Sequence, residues 1–112
     1  MKNYKFVHFR SGFGVSVQAR NRNYCTPRDD FGPYTQVELG FPTAPESLII
    51  GFAEDSDNPT ETVYGYVPVG IVQALAVKHG GIVEGEFPPF DMNAKQSAIL
   101  AEALLEVENE SR

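Results

Sequence analysis

The residue types that could do chemistry gather in "RNRNYCTPRDDFGPY", residues 20–34. This stretch holds Arg20, Arg22, Arg28, Tyr24, Phe31, Tyr34 and the chain's only cysteine, Cys25. Guanidinium groups are planar, forked donors that match phosphate or carboxylate. Aromatic rings offer faces on which a base can stack. The set therefore suits an anionic ligand with a flat ring, such as a nucleotide. Arg10 joins it if the first strand ends beside this loop. Tyrosine and arginine are also enriched at protein interface hot spots, so a protein partner on the same surface is the alternative. Asp29 and Asp30 stand beside Arg28 and allow a third, structural outcome, in which carboxylates pair with arginines and the rings staple the loop to the core.

Other chemistry is weaker in the sequence. A nucleophilic Cys25 needs a histidine base and an orienting third group. His8, in a strand, and His79, at a helix end, are the only histidines. One cysteine and two distant histidines lack the ligand spacing of a zinc site. "DSDNPTE" sets Asp55, Asp57 and Glu61 near one another, but Pro59 stands where a third calcium ligand is needed and the following glycine is missing. "GFG" at 12–14 falls short of a phosphate-binding loop and reads as a turn. Glu102, Glu106 and Glu110 recur at helical spacing, as a solvated edge or an acidic rail facing a basic partner. The expectation is a non-enzymatic chain with no cofactor and no metal.

Composition bounds the rest. A length of 112 residues suits one domain, 1–112. No apolar run approaches the roughly eighteen residues that a bilayer demands. The N-terminus has no apolar h-region, and a lone cysteine points to a reducing cytoplasm. Net charge is −6, unevenly spread. Residues 1–28 carry six basic residues and no carboxylate, whereas 29–112 carry three basic and all fifteen acidic residues. That acidic remainder would repel a long polyanion and offers no basic track, which argues against extended nucleic acid.

The elements that must position the loop follow from periodicity. Alternation over 4–10 and 14–19 around "SGFG" predicts a hairpin. Further strands are expected at 34–41 and 62–67. Thr43 and Glu46 have capping-box spacing and Pro45 suits a first turn, so a short helix is expected over about 44–53, with a strand through Leu48–Ile50 as its competitor. Pro68 opens a helix to about 79, whose inward face is Ile71, Val72, Leu75, Ala76 and His79. Gly80 and Gly81 stop it. "GEFPPFD" reads as a connector, and Asp91 as the cap of a last helix over about 92–109. That helix has a core stripe of Met92, Gln96, Leu100, Ala103, Leu104 and Val107. A second, small-residue face, Ala94, Ala98, Ala101 and Leu105, suggests an interface with another copy, since apolar residues on two sides usually mean burial on two sides.

These readings add up to an α+β domain, a small antiparallel sheet of about four strands with two principal helices on one face. The expected function is a cytoplasmic, homo-oligomeric binding protein that sequesters a nucleotide-like anion, in the style of a phage or mobile-element accessory protein. The alternative is an inhibitor or adaptor acting on a host protein.

Overall fold

The computed structural model describes residues 3–110. The chain is α+β, with one antiparallel sheet and two helices, as the alternation and helical periodicities predict. The strands are β1 (Val7–Phe9), β2 (Gly14–Gln18), β3 (Gln36–Gly40), β4 (Val63–Pro68) and β5 (Ile82–Glu84), and the helices are α1 (Val69–Lys78) and α2 (Ala94–Glu110). Strand order across the sheet is β4-β3-β2-β1-β5.

The hairpin forms where Gly12 breaks the alternation. Val7 pairs with Val15, and the Phe9 amide donates to the Phe13 carbonyl across the turn at 2.9 Å. Val7 and Phe9 then point inward with Val15 and Val17, all at most 2 % exposed, and His8 points out. The core runs from these strands through Val37, Leu39, Tyr64 and Val67 to Val69, Val72 and Leu75 of α1. α1 stops as expected. The Gly81 amide reaches back to the Ala76 carbonyl and the Gly80 amide to that of Val77. Gly80 takes a φ of +85°, which a side chain would resist.

α2 buries Gln96 and Ala103, with Met92, Leu100, Leu104 and Val107 packed partly against the core. This is the stripe expected from its spacing. The other face is bare within the chain: Ala94, Ala98 and Ala101 are exposed and Leu105 is 60 % exposed.

Three expectations are corrected, and the count of about four strands roughly holds, the fifth being β5, which follows the α1 cap and pairs with β1. It is three residues long, too short for alternation to reveal. The segment 44–53 is no α-helix but a turn followed by one 3-10 turn, Ile50–Phe52. Its supposed capping pair has distant partners instead, because Thr43 Oγ1 accepts from the Gly14 amide and Glu46 turns toward α1. The α2 cap is Asn93, whose Oδ1 accepts from the Gln96 amide at 3.0 Å, and not Asp91. The Asp91 amide donates to the Tyr34 carbonyl, and that of Tyr34 to Pro89, so the connector lies bonded along residue 34.

Candidate functional site

Loop 20–34 owes its shape to carboxylates that bind backbone. Asp29 Oδ1 accepts from the amides of Phe31 and Gly32 at 3.0 and 2.9 Å, and these bonds hold its pKa below the usual aspartate range. Asp30 accepts from the Asn21 amide at 3.0 Å. Glu38, from β3, accepts from the Tyr24 amide at 3.0 Å and from Asn23 Nδ2 at 3.2 Å. The pairing of Asp29 and Asp30 with the arginines, one of the outcomes the sequence allows, is absent among the described residues. Among the described residues, Arg10, Arg20, Arg22 and Arg28 form no ion pair.

The seven residues singled out from sequence do not share one place. Tyr34 is fully buried, its hydroxyl donating to the Asp29 carbonyl at 2.8 Å, and burial pushes its pKa up to about 12. It is a core residue that anchors the loop from beneath. Arg20 is half-buried, and its Nε has no hydrogen-bond partner. Arg10 packs toward the end of α1, with Nε donating to the Gly80 carbonyl at 3.3 Å. Arg22 and Phe31 are exposed, Phe31 by 84 %. Tyr24 and Arg28 do meet, with the guanidinium 5.6 Å from the ring centroid.

A residue the sequence did not reveal completes this pair. Tyr66 lies 5.8 Å from Tyr24, ring centroid to ring centroid. It reaches that position through a bulge. Val37 pairs with Val67 and Leu39 with Tyr64, so β4 spends one more residue than β3 between those pairs. Gly65 and Tyr66 together face Glu38. Tyr66 adopts φ +53°, a left-handed conformation that costs a non-glycine residue about 1–2 kcal/mol. Its amide donates to the Tyr24 carbonyl at 3.0 Å. Bulges re-aim side chains, and strained conformations concentrate at functional sites. Glu38 therefore joins the two halves: it faces the bulge with its backbone and pins Tyr24 with its carboxylate. The result is two tyrosines, 39 % and 43 % exposed, side by side with a guanidinium over one of them.

Two cavities lie elsewhere. One of about 350 Å³ is lined by Thr26, Thr35, Gln36, Pro68, Asn93, Lys95, Gln96 and Ile99, and one of about 490 Å³ by Lys5, Glu84, Gly85 and Glu86. Neither is lined by any of the seven residues or by Tyr66.

The titratable side chains form another group that sequence spacing did not bring together. Ser11 Oγ lies 2.8 Å from His79 Nδ1, and His79 Nε2 lies 2.7 Å from Glu46 Oε1. A carboxylate can only accept, so Nε2 carries the proton. Hydroxyl, imidazole and carboxylate in line is the order that activates a serine. Here Ser11 Oγ already accepts from the Phe13 amide at 3.2 Å. The Ser11 and Gly12 amides donate to the carbonyls of His79 and Phe9, which leaves no amide of this turn to hold an oxyanion. The His79 ring is stacked on Phe13, centroids 4.4 Å apart. We read the line as a tie between hairpin, α1 and the 43–49 segment.

Cys25 is buried, and its thiol donates to the carbonyls of Arg20 and Pro27 at 3.2 and 3.3 Å. Burial pushes its pKa up, and the bonded histidine lies with Ser11 and Glu46. Among the described residues, no three of His, Cys, Asp or Glu gather closely enough to hold a metal ion, and no helix is long and apolar enough to cross a membrane. Comparison with known proteins adds no relative: no family model matches the chain, and neither curated proteins nor solved structures yield a match.

Proposed function

We propose that the chain is a non-enzymatic binding protein, an inhibitor or adaptor whose Tyr24–Tyr66–Arg28 surface engages an acidic patch on a partner protein. The observation that carries this reading is Tyr66, held at φ +53° in the β4 bulge, with its ring exposed beside Tyr24. The left-handed backbone costs stability, and strain of this kind gathers at functional sites. Paired tyrosines with a neighbouring arginine are the side chains that dominate protein interfaces. The unpaired guanidiniums of Arg22 and Arg28 select a partner of negative charge.

A nucleotide-like anion on the same loop is the second reading. It is supported by the freedom of those guanidiniums, since Asp29 and Asp30 are spent on backbone amides. It fits less well. Tyr34 is enclosed in the core, Arg28 already covers Tyr24, and neither cavity is lined by this group.

Two measurements on one pair of proteins separate the readings. A Tyr66→Ala/Arg28→Ala double variant and wild type are each used to retrieve partners from a lysate, and each is screened by thermal shift against mononucleotides, dinucleotides and cyclic oligonucleotides. A protein retained by wild type and lost by the variant supports the interface. A nucleotide shift of wild type that the variant loses replaces that reading with the nucleotide one. A ligand at a hundred times its dissociation constant adds about 2.7 kcal/mol, well within detection.

A further inference from the structure

β5 differs from every other strand of the sheet in having no buried residue. Ile82, Val83 and Glu84 are all exposed. Backbone contacts hold the strand in place. The Arg10 amide donates to the Gly81 carbonyl at 3.0 Å and the Glu86 amide to the Lys5 carbonyl at 3.4 Å, one at either end of the pairing with β1. Gly85, at φ +97°, lies so close to β1 that a side chain there would collide with the backbone of Phe6 and Val7. The edge is therefore fixed before anything joins it, which lowers the ordering cost of binding.

β5 is also the last strand on its side of the sheet. Among the described residues, residues 82–85 form no backbone hydrogen bond beyond their pairing with β1. Free amides and carbonyls along a sheet edge are a template for one more strand. β5 spends one more residue than β1 between the pairs Phe9–Ile82 and His8–Glu84, which leaves Val83 as the extra, exposed residue. The cavity of about 490 Å³ adjoins the end of this strand, walled by Lys5, Glu84, Gly85 and Glu86. Two carboxylates against one ammonium make it acidic. Glu84 forms no ion pair among the described residues.

We propose that the β5 edge is a docking strand for an extended basic segment of another protein. The segment lies along β5 and bonds its free backbone groups. Apolar side chains of the segment cover Ile82 and Val83, and a lysine or arginine enters the cavity against Glu84 and Glu86. Apolar and opposite-charge pairs across strands are what stabilise an added strand, and like charges oppose it. A second copy of the chain would set these glutamates against one another, so the charge favours a basic partner. β5 and β4 lie at opposite ends of the strand order, and Tyr66 belongs to β4. The proposal therefore stands or falls independently of the Tyr24–Tyr66–Arg28 surface.

The test is an NMR titration of the isotopically labelled chain with a capped hexapeptide of alternating lysine and valine. The amides of residues 82–85 should shift and saturate, while those of Tyr24 and Tyr66 stay in place. The same peptide with its backbone nitrogens methylated keeps its charge but loses its donors, so it should bind at least tenfold more weakly. A glutamate–valine counterpart should not bind. Glu84→Lys changes an exposed residue and should reverse the preference, weakening the lysine–valine peptide at least tenfold and admitting the glutamate–valine one. Absence of saturation, saturation at other amides, or equal binding by the methylated or the acidic peptide overturns the proposal. Shifts at 82–85 that grow with protein concentration before any peptide is added overturn it too, and assign the edge to a second copy.

Discussion

The carboxylate of Glu46 lies 2.7 Å from His79 Nε2 and 3.0 Å from Lys78 Nζ, so one nearly buried acid holds two successive residues at the end of α1. It also accepts from the Leu48 amide at 2.8 Å, which folds its own segment back on itself. Lys78 passes the connection on to Glu110 at 3.2 Å, and Ser47 bonds the same glutamate. The Lys78 ammonium thus joins the ends of both helices to the 43–49 segment, through Glu46 on one side and Glu110 on the other.

Burial would raise the pKa of Glu46, but the Leu48 amide, His79 and Lys78 outweigh it, and the net shift is downward from 4.5. A depressed carboxylate contributes stability that is present above its unfolded value and is lost as pH falls through the folded one. Lys78 moves the other way. Burial lowers its pKa, but Glu46 and Glu110 raise it by more, to a value above 10.5. Its contribution is present below 10.5 and is lost as pH rises through the raised value. Urea unfolding across pH should show a plateau between these limits and a fall below pH 4.5 that Glu46→Gln flattens. Glu46→Ala at neutral pH leaves Lys78 without its buried partner and should cost about 3 kcal/mol.

Tyr66 should behave unlike other residues of a strand. Glycine relieves its left-handed backbone, so Tyr66→Gly should match or exceed wild-type stability despite losing the ring contact with Tyr24. Tyr66→Val keeps the left-handed cost, adds β-branched crowding at φ +53° and loses the ring contact, so it should be less stable than wild type and than Tyr66→Gly. Denaturation midpoints of the three proteins decide the matter. A large loss in Tyr66→Gly would mean that the ring is held for stability, and the functional argument from strain would fail.

Tyr34 should resist ionisation. Ultraviolet titration of the folded chain should show one tyrosine that does not deprotonate until about pH 12. With a raised folded pKa, its contribution to stability is complete below 10 and is lost as pH climbs through the folded value. Tyr34→Phe removes the bond to the Asp29 carbonyl, should cost about 1 kcal/mol and should delete the step near pH 12, leaving only the raised step of buried Tyr64.

Much of the fold was legible because it rests on local rules. The hairpin follows from alternation around "SGFG", α1 from a proline start and a Gly-Gly stop, and the α2 stripe from its 3.6-residue period. What was not legible depends on partners far along the chain. Thr43 and Glu46 have the spacing of a helix cap, but Gly14, Lys78 and His79 compete for them and win. Tyr66 joins Tyr24 only because β3 and β4 pair out of step, and register between strands is not written in either strand alone. The arginine-rich loop was visible as a candidate. That its acids would bind backbone amides, and that Tyr34 would sink into the core, required the tertiary structure.

The two outer strands of the sheet are finished differently. β4 is covered along its free side, where Ala53 bridges to Tyr64 and Tyr24 receives the Tyr66 amide. β5 ends the sheet on the other side, with Ile82 and Val83 39 % and 56 % exposed. Uncovered edges invite like strands to join, and charge is a common deterrent. Glu84 in β5 and Glu86 just beyond it provide that charge. Removing that charge in a Glu84→Gln/Glu86→Gln double variant should therefore raise light scattering from concentrated solutions while circular dichroism still reports a native fold.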